Sequence, residues 1–233
     1  MVSIFGIVPI LIALILTILR PLLNRGDTEA FSSFFPNFTF ILFLHFLVPI
    51  TALFQGTGII ADEVEDKTLP YLIIRPVPRY LVIMAKYLAC VFIGGTIVIG
   101  SLCVSYGIGL LGASSNTLSS DIVFLLHSSA ILLLGLAVYS VLFSLLGGIF
   151  KHPMVGGLLF VFGWEKIIAY VPGNAKFFTV MNYLLALYPS SEQIHLPWTS
   201  SVISNITAIF ILCFLLLIFG GISFLLPSLK EYP

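Results

Sequence analysis

Charge is scarce in this sequence. Only 9% of its 233 residues are Asp, Glu, Lys or Arg, whereas 59% are hydrophobic. A water-soluble domain carries roughly a quarter of its residues as those four types. A chain this poor in charge cannot clothe a soluble surface, and lipid removes the demand. Ten basic residues balance ten acidic ones, so there is no basic excess to generate a global field for nucleic acid. Cysteine is sparse too. Cys90, Cys103 and Cys213 stand far apart in apolar runs, the placement of small core hydrophobes and not of a disulfide framework or a zinc set. The phosphate-cradling loop GxxxxGK followed by Ser or Thr is missing, which excludes a standard ATP site within the chain. HExxH and paired-cysteine metal motifs are missing as well.

Long apolar runs take the place of these features. Six of them predict membrane-spanning helices, at about 3–19, 38–60, 81–111, 123–150, 154–171 and 201–226. The expected fold is therefore an all-α membrane protein with six transmembrane helices, forming one domain over residues 1–233. Residues 1–19 read as a first span and not as a cleaved leader: they lack a basic start, and Arg20-Pro21 follows where a small-residue cleavage site would stand. Pro172-Gly173, Pro189 and Pro197 make 172–199 too broken and polar for a span, so short surface helices are expected there. With residues 61–86 placed inside, that side holds six basic residues and the other four. This bias favours both termini in the cytoplasm.

Residues 61–86, ADEVEDKTLPYLIIRPVPRYLVIMAK, break the apolar pattern and hold eight of the charged residues. Pro70, Pro76 and Pro78 argue against one continuous helix there. Two readings stand: a rigid docking element through which a partner pushes on the attached spans, or a loop stiffened by its own prolines. His45 and His127 fall within spans. An ionisable group at that depth is either functional or a polar contact between helices. Glu165 and Lys166, beside Trp164 at the outer end of the expected fifth span, either line an outer vestibule or form an ordinary pair in the headgroup layer. The doublets Gly94-Gly95, Gly147-Gly148, Gly156-Gly157 and Gly220-Gly221 suit close helix packing or a dimer seam.

The stretch GTGIIADEVEDKTLPYLIIRPVPRYLVIMAKYLA, which opens at Gly56, resembles the signature region of type-2 ABC exporter permeases. The likeness lies in Glu63, Lys67, Thr68, Leu69, Arg75, Pro76, Arg79 and Lys86. It is nearest to the compact permeases associated with maturation of multi-copper enzymes. GWEKIIAYVPG, with Trp164, Glu165, Pro172 and Gly173, is similar to the fifth span and outer turn of that group. The resemblance implies two permease copies, as a homodimer or related heterodimer, in a prokaryotic inner membrane. It implies a cytoplasmic coupling helix over 61–80 that docks a separate ATP-binding subunit. Glu63, Asp66, Lys67, Arg75 and Arg79 would form that contact, and short helices over 172–199 would cap the exit. No cofactor is expected in this chain, ATP and magnesium belonging to the partner. The pattern departs from the family's at one place: family members usually carry an amphipathic helix before the first span, and here the chain begins almost at the span.

Two other classes fit the residues less well. A lipid-modifying membrane enzyme would cluster Asp, His or Arg at one depth, and Asp62, Glu63, Glu65 and Asp66 have no second acidic group elsewhere to join them around a metal. A non-transporting scaffold or assembly factor would use the same docking segment. Met84, Met154 and Met181 are scattered and form no copper lane.

Overall fold

A computed structural model of the chain describes residues 39–65, 79–110, 118–150, 152–170, 174–188 and 203–229, together with positions 7, 10, 11, 14 and 15. Every regular element among the described residues is helical.

The first continuous run opens as a π-helix, Thr39–Leu47, and continues as α1, Val48–Glu65. The change of winding sits at Pro49. Proline has no N–H to donate and its ring crowds the preceding turn, so the helix before it opens into the wider i→i+5 pattern. Helices α2 (Arg79–Leu110) and α3 (Leu118–Ile149) have 32 residues each. Pro153 then starts α4 (Pro153–Leu158) at a position where a missing N–H costs nothing. A second π-helical run, Leu159–Glu165, follows without a break and passes into α5 (Lys166–Tyr170). A 3₁₀ turn, Asn174–Phe178, leads to α6 (Val180–Leu187), and α7 (Asn205–Leu229) ends the described chain.

The expectation of six spanning helices is corrected here. Among the described residues, four helices are long and apolar enough to cross a membrane, over Ile41–Ile59, Leu81–Ile108, Ile122–Ile149 and Asn205–Ser223. The expected fifth span is divided into pieces of six, seven and five residues, α4, the π-helical run and α5. The polar pair Glu165-Lys166 sits at the junction of the last two. All but five positions of the expected first span lie outside the described residues. The expected coupling segment is also divided: 61–65 continue α1 as its last turns, and 66–78 lie outside the described residues.

Helix α3 is the centre of the bundle, with 72% of its apolar window buried inside the protein against 22% for α7. Helix α1 packs along α3 so closely that side chains are excluded. A Cβ on Gly56 would stand 2.8 Å from the Ser140 carbonyl oxygen, and one on Gly147 2.7 Å from that of Thr57. Glycine is required at both because the obstacle is backbone, which has no rotamer to retreat into. These contacts, with Val48 beside Gly135, advance together along both helices, so α1 and α3 run parallel. Helix α2 packs against both of them, its Gly94 against Gln55 and Leu136. Phe43, Leu44, Leu136, Tyr139, Phe143 and Leu212 are among the most deeply buried side chains of the core.

Some hydroxyls in this apolar setting are satisfied within their own helix. Thr57 donates to the Leu53 carbonyl at 2.7 Å and Ser140 to that of Leu136 at 2.5 Å. Each uses the lone pair left on a carbonyl one turn earlier in its own helix.

Candidate functional site

A carboxyl group buried in an apolar bundle is costly unless donors surround it. Glu165 is 6% exposed, on the last residue of the second π-helical run. At about 1.5 Å per residue from Pro153, it stands about 18 Å along that helical stretch. Its main donor is Tyr139, a fully buried residue of α3 whose hydroxyl donates to Glu165 Oε2 at 2.5 Å. The Tyr139 ring stacks on Phe143 at a 6.0 Å centroid separation, and Phe143 meets Phe160 edge-on at 6.3 Å. These rings fix the direction of the hydroxyl and exclude water from its bond.

The same carboxyl faces the first two backbone amides of α6, those of Val180 and Met181. The local cap of that helix is otherwise engaged. Thr179 occupies the N-cap position in an extended conformation and makes no side-chain cap bond. Its hydroxyl instead donates to the Lys176 carbonyl at 2.8 Å, closing the 3₁₀ turn. The first amides of α6 therefore face a side chain 15 or more residues earlier in the chain, where the positive end of the helix favours an acidic group. Glu165 Oε1 makes no hydrogen bond of good geometry.

Helix α6 itself is not a surface helix. Seven of its eight residues are buried. Leu184 fills the space beside Gly135, where a Cβ would come within 3.1 Å of it, and lies near Val48. Gly135 is about 20 Å along α3 from Ile122 at the helical rise, so the connection between α5 and α7 folds back among the spanning helices. Tyr183 helps to hold the turn by donating to the Phe177 carbonyl at 2.7 Å.

Two further ionisable residues gather near this point. Lys166, half-buried on the next position, interacts electrostatically with Glu165. It does so with His45 of the first π-helical run as well. His45 and the Glu165-Lys166 pair, from two distant places in the sequence, thus share one neighbourhood, where the Phe46 and Phe162 rings also meet at 6.4 Å. His45 and Glu165 both lie on π-helical runs; such winding is rare and recurs at functional positions. His127 does not join them. It is exposed and 12 residues, about 18 Å, before Tyr139 on α3. Trp164 is exposed, with its indole N–H directed at the Phe178 carbonyl at 3.5 Å.

The expected coupling residues are placed only in part. Glu63 belongs to the last turn of α1 and Arg79 is the first residue of α2, so the two flank the intervening segment. Asp66, Lys67 and Arg75 lie outside the described residues.

Tyr139 escaped sequence reasoning because it stands in the middle of an uninterrupted apolar run. The available signal was its hydroxyl, since a buried tyrosine needs a partner. The arrangement offers donors around one acid and no nucleophile paired with a base. Among the described residues, no group of three His, Cys, Asp or Glu is placed to hold a metal ion.

A model of the family described as ABC-2 family transporter protein matches residues 1–164. Neither a curated protein nor a solved structure matches the chain. The family match covers well over half of the sequence and includes three of the four spanning helices. The chain belongs to the ABC-2 transporter family and is one of its multi-pass, non-catalytic membrane components.

Proposed function

We propose that this chain is the permease subunit of an ATP-driven exporter, set in motion by a separate ATP-binding subunit that acts on residues 61–80. The observation that carries the reading is the family match, together with the position of the charged segment between two spanning helices. Helix α1 ends at Glu65 and α2 begins at Arg79. A force applied between them acts on both helices directly, and α1 passes it to α3 through the glycine seam. Glu63 and Asp66 would meet basic groups of the partner. Arg75 and Arg79 would meet acidic ones or anionic headgroups, at about 1 kcal/mol for each headgroup contact, and Lys67 belongs to the same coupling contact. ATP and magnesium would be held by that partner.

A second permease copy, placement in a prokaryotic inner membrane with both termini in the cytoplasm, and a relation to permeases of multi-copper enzyme maturation belong to the same proposal. The last rests on the likeness of residues 56–86 and of the stretch GWEKIIAYVPG at 163–173.

The test is co-purification with the candidate ATP-binding subunit, followed by ATPase and transport rates for Glu63→Lys and Arg75→Glu. The reading expects weakened association or ATPase activity that no longer responds to transport. Intact association with unchanged coupled transport in both variants would sink it.

A further inference from the structure

Helix α6 lacks a cap of its own and is nevertheless seated inside the bundle. Its N-cap residue, Thr179, spends its hydroxyl on Lys176. The group facing its first amides is the carboxyl of Glu165, which is 6% exposed and is oriented by Tyr139 from a third element. We propose that Glu165 is a positioning residue: it supplies from a distance the N-cap that α6 lacks, and so ties α6 to the helical stretch 153–170.

Two independent features support this assignment. The first is the division of labour at Glu165. Oε2 takes the Tyr139 hydroxyl, Oε1 is buried without a well-formed hydrogen bond, and the carboxyl as a whole faces the first two amides of α6. A buried carboxyl oxygen in that condition is stabilised by the field of aligned amides even where no single bond is ideal. The second is the apolar seat of α6. Leu184 against Gly135 and Val48 fixes the middle of the helix, and Tyr183 fixes the turn before it. Only the N-terminal end depends on Glu165. The charged and titratable groups around the carboxyl are Tyr139 from α3, Lys166 from α5 and, through Lys166, His45 from the first π-helical run.

The functional consequence rests on the permease reading. Movement of the 153–170 stretch carries the cap with it, so α6 follows that stretch and is not free to move alone. A helix that turns back into the spanning layer and moves with one neighbour is suited to opening and closing an outer passage.

Hydrogen exchange on the purified full-length chain in lipid nanodiscs tests the assignment. Glu165→Ala is expected to raise exchange at the amides of Val180, Met181 and Asn182 by about fivefold, the ratio corresponding to a typical lost cap. Amides in the middle of α3 and α7 keep their rates. Adding Thr179→Asp, which restores a local cap, is expected to return those three amides towards the wild-type rate. If Glu165→Ala does not yield folded protein, Glu165→Gln carries the test, with a rise of about twofold at the same amides and the same rescue. No change at the three amides, an equal rise throughout α3 and α7, or no rescue by Thr179→Asp overturns the assignment. The measurement uses no ATP-binding subunit, so its failure is separate from a failure of the permease reading.

Discussion

At the residue scale, the bond between Tyr139 and Glu165 joins positions 26 apart in sequence and lies entirely out of water. Tyr139→Phe keeps the ring and its stacking on Phe143 but removes the donor. A buried carboxyl left short of a donor costs about 1–3 kcal/mol, so the variant is expected to melt at lower temperature than the wild type in the same detergent. Ser101→Ala is the contrasting case: its hydroxyl returns to its own helix at Val98, and the melting temperature should hardly move. Glu165 was legible in the sequence because a charge within an apolar run draws the eye. Tyr139 and the open end of α6 were not, because their significance exists only once three separate elements meet.

At the scale of elements, close approach of backbones decides which glycines matter. Gly147 faces the Thr57 carbonyl at a distance no methyl group can share, whereas Gly221 has open space around it. Gly147→Ala is expected to lower stability by about 1–3 kcal/mol through overpacking. Gly221→Ala should be neutral or slightly stabilising, since alanine is the better helix former by about 1 kcal/mol. Thermal unfolding of both variants checks the pair, and an equal effect at the two positions would refute the seam. Helix α2 supplies the test of topology. Residues 67 and 116 flank it, so single cysteines introduced as Lys67→Cys and Asn116→Cys should react with an impermeant reagent from opposite faces of the membrane. Four apolar runs were readable as spans because length and hydropathy alone qualify them. The stretch 154–171 has a similar apolar character, but hydropathy averages over winding and cannot register the π-helical run that divides it. The doublets marked close packing without naming partners; the contacts separate Gly147, which is wedged, from Gly221, which is not.

At the scale of the whole molecule, burial falls from α3 at the centre to α7 at the edge. Ile206, Phe210, Phe214 and Leu217 of α7 are largely exposed, an apolar surface that only lipid or another apolar chain can meet. Composition made the membrane setting legible, and the likeness around residues 56–86 pointed to the family that the match over 1–164 establishes. The neighbourhood of His45, Glu165 and Lys166 was out of reach of either, since it depends on how parallel α1 and α3 bring the two π-helical runs together. That parallel pairing also has a consequence for biosynthesis. About ninety residues of chain separate Gly56 from Gly147, and at ribosomal speeds of about 5–20 residues per second they take roughly 5–18 s to make. During that interval α1 is already synthesised while the groove it will fill does not yet exist. The newborn protein must therefore wait with its most intimate surface unmatched, and the assembly of its centre is timed by the arrival of α3.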